Sequence, residues 1–140
     1  MKKVRYESIG LTIPDAWKDD TMIVWSGPMN GPSAPSVVVA HSELPDGEDF
    51  SEHVTKQQKE LMEAVPQFVL HEKKEIEWNG CPAVRIKHSW RVDGPRITQF
   101  QLCILKDQET IYTVTCSDSA ENFKKNEKLL EDVLDSFTLD

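Results

Sequence analysis

The residues that are able to bind a metal ion or act as nucleophiles are few and far apart in this sequence. The histidines and cysteines are His41, His53, His71, His88, Cys81, Cys103 and Cys116. Metal sites commonly start from a local pair such as H-x-H, H-E-x-x-H or C-x-x-C, because this spacing brings two ligands to one side of an element. None of these pairs occurs, so the sequence predicts no metal site and no cofactor. His41 and His88 are expected on strands, as partners for backbone or carboxylate groups.

The motifs of nucleophilic and phosphate chemistry are also missing. No serine lies in a G-x-S-x-G turn, and no glycine-rich strand-to-helix turn is available to cradle phosphates. The acidic pairs Asp19-Asp20 and Glu48-Asp49 are expected on a solvated surface, since the formal net charge is −8. The sequence therefore predicts no catalytic residue and a protein that is not an enzyme. A site assembled from distant residues, which leaves no local motif, is the open alternative.

Composition narrows the class of protein further. The chain has 140 residues, of which 39% are hydrophobic, enough for one core and a single domain over residues 1–140. Asp and Glu number 24 against 16 Lys and Arg, and no basic cluster occurs, so no nucleic acid is expected as a partner. The longest apolar runs, at 37–40 and 102–105, are far shorter than the roughly 18 to 20 residues of a membrane-spanning helix. Direct membrane insertion is not expected.

The beginning of the chain and its cysteines predict a cytoplasmic location. Residues 1–3, Met-Lys-Lys, are followed by Val-Arg-Tyr-Glu rather than by the apolar segment of a signal peptide. The three cysteines are odd in number and widely spaced. They therefore predict reduced, partly buried thiols rather than a disulfide framework.

Hydrophobic periodicity then predicts the elements that position the remaining side chains. Short strands are expected at 6–8, 11–13, 22–26 and 36–41, with a turn at 14–17 and a loop at 27–32. A helix should begin near Asp49, whose carboxylate can cap the amide of Glu52 while Glu52 reaches back, as in a capping box. A second helix should begin near Asp118 or Ser119. It carries apolar residues at helical spacing, which are Phe123, Leu130, Val133, Leu134 and Phe137.

Between the two helices the sequence predicts a meander of four strands. They cover residues 68–78, 83–92, 96–106 and 110–117. Asn79-Gly80 joins the first two, because a type I′ hairpin needs positive φ at both central residues. Strands and helices segregated in this way predict an α+β fold, with an antiparallel sheet and two main helices packed on it.

Two polar amides interrupt surfaces that are otherwise apolar. The first helix has an apolar stripe of Phe50, Val54, Leu61 and Val65. At about 100° per residue, Gln57 lies within about 20° of that stripe, so its amide is predicted to face inward. On the third meander strand, the face that holds Gln101 mixes apolar residues with amides.

The faces of the strands differ in composition. Phe100, Leu102 and Ile104 share one face of the third meander strand and are expected to form core under the helices. An exposed face is expected where charged residues alternate, at Arg85, Lys87, Ser89 and Arg91. The early strands instead present short or apolar residues, which are Met22, Val24, Ser36, Val38 and Ala40. With Gln57 and Gln101 they predict an apolar groove that holds a few amides and suits an apolar segment needing hydrogen bonds. The alternative is a sheet that simply faces water on one side.

Several short motifs occur together over nearly the whole chain. They are Ile13-Pro14-Asp15-Ala16-Trp17, residues 50–57 (Phe-Ser-Glu-His-Val-Thr-Lys-Gln), residues 66–71 (Pro-Gln-Phe-Val-Leu-His), Gly80 with Ala83-Val84, Trp90 and Gln101. In this order they resemble the DcrB-like family, and within it the Eag chaperones of type VI secretion systems.

The resemblance implies a PsbP-like α+β fold and usually a homodimer. Eag chaperones are cytoplasmic and non-enzymatic, and they shield the N-terminal transmembrane helices of PAAR or Rhs effectors until loading on the secretion spike. By this resemblance the groove residues are Met22, Val24, Ser36, Val38, Ala40, Gln57, Val65 and Gln101. Met22 replaces a more usual branched aliphatic residue, and Ala40 stands where a serine can occur, which implies a different choice of effector. The alternative function is an immunity protein or a PsbP-like protein-binding module of another assembly.

Overall fold

The computed structural model describes residues 1–31 and 33–140, and it confirms the α+β fold predicted from the sequence. The strands are β1 (Lys2–Tyr6), β2 (Ile9–Ile13), β3 (Met22–Ser26), β4 (Ser36–Glu43), β5 (Val69–Trp78), β6 (Cys81–Trp90), β7 (Ile97–Lys106) and β8 (Thr110–Ser119). The helices are α1 (Phe50–Ala64) and α2 (Ala120–Asp135). β1 and β2 form a two-stranded sheet, and the other six strands form an antiparallel sheet in the order β3-β4-β8-β7-β6-β5.

Left-handed backbone conformations set the tight turns. Asn79 and Gly80 have φ of 46° and 84°, which confirms the hairpin predicted between β5 and β6. Glu7 has φ of 51°, and residues 7 and 8 form the turn between β1 and β2. The strand predicted at 6–8 is therefore wrong in position, since β1 ends at Tyr6. The loop predicted at 27–32 is irregular over 27–31, and Pro32 lies outside the described residues.

Both helices begin at the capping residues that the sequence indicates. The carboxylate of Asp49 accepts a hydrogen bond from the Glu52 amide at 3.1 Å, and the hydroxyl of Ser119 accepts one from the Asn122 amide at 3.3 Å. These bonds satisfy amides that the first turn of a helix leaves without an intrahelical partner. In the described part of the chain, no helix combines the length and the apolar character needed to span a bilayer.

One side of the six-stranded sheet, the α2 face, carries Phe100, Leu102 and Ile104 of β7. α2 lies on this side and buries Phe123, Leu130 and Leu134 against them. The rings of Phe100 and Phe123 meet edge to face with centroids 5.0 Å apart, an arrangement that aromatic pairs favour. This side holds the larger hydrophobic core of the fold.

The opposite side, the α1 face, carries Gln99, Gln101, Cys103 and Leu105 of β7. α1 lies here, with Phe50 and Val54 buried in a second cluster completed by Val84, Ile86, Cys103, Leu105 and Ile111. The prediction that both helices cover the Phe100 side is therefore wrong for α1. The physical reason is that the part of the sheet between the two hydrophobic clusters is apolar on both sides, so a helix packs on each side there.

The sequence placed Arg85, Lys87, Ser89 and Arg91 on an exposed face, and the first three of them lie on β6. That prediction is wrong for all but Arg91, because α2 lies over Arg85 and Lys87, and the buried Ser89 pairs with His71. Arg85 Nη2 is 3.0 Å from Glu131 Oε1, and Lys87 Nζ is 2.9 Å from Glu127 Oε1. α2 thus presents acidic residues four apart, on one helical face, to the basic residues of the strand.

Candidate functional site

Three rows of directly opposed residues cross the α1 face from β3 to β6. The rows are Met22, Ala40, Thr113, Cys103 and Val84; Val24, Val38, Thr115, Gln101 and Ile86; and Ser26, Ser36, Ser117, Gln99 and His88. Directly opposed residues of paired strands project to the same side of a sheet. The rows therefore bring together six of the eight predicted groove residues, which are Met22, Val24, Ser36, Val38, Ala40 and Gln101. We call the row residues of β3, β4 and β8, together with Gln99 and Gln101, the binding face.

β8 contributes three hydroxyl residues to the middle of the binding face that the sequence analysis did not include. Thr113, Thr115 and Ser117 lie between β4 and β7 and are half-buried. Their period of two along the strand, alternating with Val114 and Cys116 of the core, is a signal that could have identified them. The middle of the binding face thus has more hydroxyl groups than predicted.

Exposure falls steadily along the rows from β3 to β6. Met22 and Val24 at the sheet edge are 62% and 55% exposed. The row residues of β4, β8 and β7 are half-buried except for the buried Cys103, and Val84 and Ile86 on β6 are 1% exposed. The gradient follows the position of α1, which covers the β6 end through Phe50 and Val54. The apolar edge at β3 and the polar middle of the rows therefore remain accessible to solvent.

Glutamine side chains form hydrogen bonds along two of the rows. His88 Nε2 lies 3.0 Å from Gln99 Oε1, and Gln99 Nε2 donates to Ser117 Oγ at 2.8 Å. In the neighbouring row, Gln101 Nε2 donates to Thr115 Oγ1 at 3.4 Å. Because the amide nitrogens donate, both hydroxyl oxygens act as acceptors and their own protons stay available for an outside acceptor. The binding face therefore offers hydrogen-bond donors beside apolar surface.

His88 closes its row at the covered end of the α1 face. Its ring centroid lies 5.4 Å from that of Phe68 and 5.5 Å from that of Trp90. Burial in this aromatic setting lowers the pKa of His88, although the hydrogen bond to Gln99 acts in the opposite direction. Its partner is an amide, not the carboxylate or backbone group expected, whereas His41 does face a carboxylate, with Nε2 3.6 Å from Asp19 Oδ2.

The other two predicted groove residues, Gln57 and Val65, lie on or at the end of α1. Gln57 is exposed, whereas the sequence analysis placed its amide inward. Gln58 is the amide that turns inward, and its buried Nε2 has no hydrogen-bond partner among the described residues. Val65 caps the end of α1, where its N–H donates to the Leu61 oxygen at 3.0 Å. The prediction fails at Gln57 because the inward side of α1 runs through Phe50, Val54 and Gln58, and Gln57 lies on the opposite edge of the stripe.

The thiols are not arranged for covalent or metal chemistry. Burial raises the pKa of Cys103 and of Cys116 to about 11, so both are protonated at neutral pH. All three cysteines are free, and Cys81 is half-buried. Across residues 1–31 and 33–140, no three His, Cys, Asp or Glu side chains converge as a metal site would require.

Comparison with known proteins identifies relatives over almost the whole chain. The family model for DcrB matches residues 9–136. Effector EagT6 of Pseudomonas aeruginosa is 25% identical over 122 residues, which make up 86% of this chain and 85% of that protein.

Solved structures share the fold. The crystal structure of a Pseudomonas aeruginosa protein of unknown function, described as a putative regulator, superposes with a TM-score of 0.83 and 22% identity, covering 100% of this chain and 97% of that chain. The solution structure of cyanobacterial PsbP (CyanoP) from Synechocystis superposes with a TM-score of 0.62 and 14% identity, covering 94% and 81%. At these identities the similarity shows the α+β, PsbP-like fold alone.

Proposed function

The chain belongs to the DcrB family, and from that premise and its similarity to Effector EagT6 we propose that it is a non-enzymatic, cytoplasmic chaperone of a secreted effector. Its cargo is the N-terminal transmembrane segment of a PAAR or Rhs effector of a type VI secretion system. The chaperone shields this segment from water until the effector is loaded on the spike, and it acts as a homodimer. The observation that carries the proposal is the exposure gradient of the binding face, with its apolar edge and polar middle.

The apolar edge supplies the hydrophobic part of the interaction. A transmembrane helix in water exposes about 20 largely apolar residues. Burying one large apolar side chain is worth about 1.5 to 3 kcal/mol. Met22 and Val24 are more than half exposed and offer such burial, and the unbranched thioether of Met22 adapts to irregular cargo surfaces. Without a partner, these side chains remain in water.

The middle of the binding face supplies close approach and hydrogen bonds. Ser36 and Ala40 are small, so a helix can come near the sheet there, as small residues permit between helices in membranes. The hydroxyls of Thr115 and Ser117 accept bonds from the glutamine amides and can donate to carbonyl or hydroxyl oxygens of the cargo. Because these polar groups have partners on the sheet itself, the face stays soluble after the cargo leaves.

The edge strand β3 offers a matched pair of substitutions to test the proposal. Val24 is 55% exposed on the α1 face, and Trp25, the next residue, is 57% exposed on the opposite face. We expect Val24→Asp to lower recovery of a co-expressed effector fragment at least tenfold, because a charge is costly to bury against an apolar helix. Trp25→Asp should retain the fragment. The measurement is affinity co-purification of the tagged chaperone with a fragment that contains the predicted transmembrane helices.

Folding of both variants is checked by circular dichroism and urea unfolding before the comparison. Equal retention by folded Val24→Asp and Trp25→Asp would overturn the binding face as the cargo site. Capture from the native host of a partner that lacks any apolar N-terminal segment would instead favour an immunity protein or another protein-binding module.

A further inference from the structure

The loop that joins β3 to β4 is tied to the start of α2 by a group of side-chain hydrogen bonds. Asn122 of α2 donates from Nδ2 to the Asn30 backbone oxygen at 2.9 Å and to Ser33 Oγ at 3.2 Å. Its Oδ1 accepts from Asn30 Nδ2 at 3.2 Å. Ser33 Oγ in turn donates to Asp118 Oδ1 at 3.1 Å. These contacts join residues at least 85 positions apart in sequence.

The α2 side of this group is buried. Asp118 is 3% exposed and Asn122 is 8% exposed, so both lose hydration that they would keep on a surface. Asp118 Oδ1 also accepts from the Ser119 amide at 2.8 Å, and a negative charge beside the first turn of α2 is favourable to the helix dipole. The second oxygen, Oδ2, is buried without a hydrogen-bond partner among the described residues. Such buried polar groups are costly to keep and call for an explanation.

The strand held by these contacts is the edge of the binding face. β3 has one neighbour in the six-stranded sheet, β4, along five paired residues. At the loop end the hairpin is closed tightly, since Gly27 donates to the Pro35 oxygen at 2.8 Å and a Cβ at Gly27 would lie 2.8 Å from Pro35 Cγ. Beyond that closure, Asn30 and Ser33 connect the hairpin to α2. The loop that follows Met22 and Val24 of β3 is therefore tied to the far side of the sheet.

We infer that Ser33, Asp118 and Asn122 form a latch that holds the β3–β4 hairpin against α2 and so positions the edge of the binding face for cargo. They are positioning residues, because the cargo would meet Met22 and Val24 and not the latch itself. The functional part of this inference rests on the proposed function, whereas the latch is testable without any cargo.

The latch is tested by hydrogen exchange in a double-mutant cycle. Ser33→Ala removes the bonds of Ser33 to Asp118 and Asn122. Asn122→Ala removes the bonds of the Asn122 side chain to Ser33 and Asn30. We expect each to speed exchange of the β3 and β4 amides about tenfold, the factor that corresponds to a loss of about 1.4 kcal/mol, while β6 and β7 keep their protection. The double variant should speed exchange by less than the product of the two single effects, because both substitutions break the bond between Asn122 Nδ2 and Ser33 Oγ. Asn126→Ala, one turn further along α2, is the matched control.

Each outcome of this experiment either supports or contradicts the latch. Unchanged exchange in β3 and β4, acceleration spread evenly over the six strands, or additive effects of the two substitutions would each overturn it. Co-purification with the effector fragment then tests the positioning role, since Ser33→Ala should lower recovery although it changes no residue of the binding face. If hydrogen exchange supports the latch but recovery of the effector fragment is unchanged, the latch does not position the binding face for cargo. If wild type binds no fragment, the proposed function fails and the latch stands.

Discussion

The two faces of the six-stranded sheet differ in how far a helix covers them. On the α2 face, Phe123, Leu130 and Leu134 pack against the middle strands, and the core there includes residues of β6, β7 and β8. On the α1 face, only the first two turns of α1 are buried, at Phe50 and Val54. Apart from the cluster under these turns and the buried His88, most of that face is half-buried or exposed, although it belongs to the same strands.

The difference teaches how one sheet can combine a stable core with an accessible surface. Alternation along β7 and β8 sends Leu102 and Val114 to the covered side and Gln101 and Thr115 to the other. Apolar residues would make the uncovered side prone to aggregation. Pairs such as Gln101 with Thr115 avoid this, because each polar group finds a partner on the neighbouring strand.

The comparison is tested most strongly by truncating one leucine from each helix. Leu134 of α2 is 0% exposed in the main core, so Leu134→Ala should lower the free energy of unfolding by about 2 to 5 kcal/mol. Leu61 of α1 is half-buried, and Leu61→Ala should cost clearly less, about 1 kcal/mol. Urea unfolding of both variants at one pH measures the two changes. Equal losses would mean that α1 covers its face as fully as α2 does.

The sequence predicted the elements better than it predicted their sides. The meander, the Asn79-Gly80 hairpin and the cap at Asp49 follow from local rules, since alternation, positive φ and capping each involve a few neighbouring residues. Six predicted binding residues are brought together because a strand's period of two fixes which residues share a face.

The parts that the sequence could not predict depend on packing between distant elements. Arg85 and Lys87 were expected in solvent because nothing in β6 reveals the acidic residues of α2 that face them. Gln57 was expected to turn inward because it borders the apolar stripe, and a stripe in the sequence does not show which of its edges meets the sheet. The latch at Asp118 and Asn122 likewise joins segments far apart in sequence, so no local sequence pattern predicts it.

A smaller effect should distinguish the faces by pH, because the α1 face buries His88. Its pKa is lowered chiefly by burial, so the folded state binds its proton less readily than the unfolded chain, in which the pKa is about 6.5. The stability associated with neutral His88 is therefore present above about pH 6.5 and is lost as the pH falls from there through the lowered pKa. We expect the free energy of unfolding to decline over this range, and less steeply in His88→Gln.

The matched control for this pH dependence is His71. Its pKa is also lowered, mainly by burial and further by the charges of Lys87 and Arg96, but its side chain is exposed. His71→Gln should therefore flatten the profile less than His88→Gln. Urea unfolding at a series of pH values measures both profiles, and an unchanged slope in His88→Gln would contradict the assignment of His88 as a buried neutral residue.

The smallest expected effect concerns the charged residues that α2 covers. Arg85 lies between Glu131 and Asp135 of α2, and its guanidinium carbon is 5.4 Å from the centre of the Phe100 ring. Its side chain is 21% exposed, whereas Lys128, which pairs with Asp132 along α2, is 84% exposed. We expect Arg85→Met to lower the free energy of unfolding by about 0.5 to 1 kcal/mol, because it removes a partly desolvated ion pair together with the contact to the ring. Lys128→Met should cost clearly less, because its ion pair is exposed to solvent.

The dependence on salt concentration should distinguish the stability cost of Arg85→Met from that of Lys128→Met. Exposed ion pairs are screened strongly at about 1 M salt, whereas partly buried ones are screened much less. The cost of Lys128→Met should therefore vanish in 1 M sodium chloride, while most of the cost of Arg85→Met remains, as urea unfolding at low and high salt will measure. If both costs vanish together, the basic residues of β6 behave as surface charges. The α2 face is then covered less completely than the distances from Arg85 to Glu131 and to the Phe100 ring indicate.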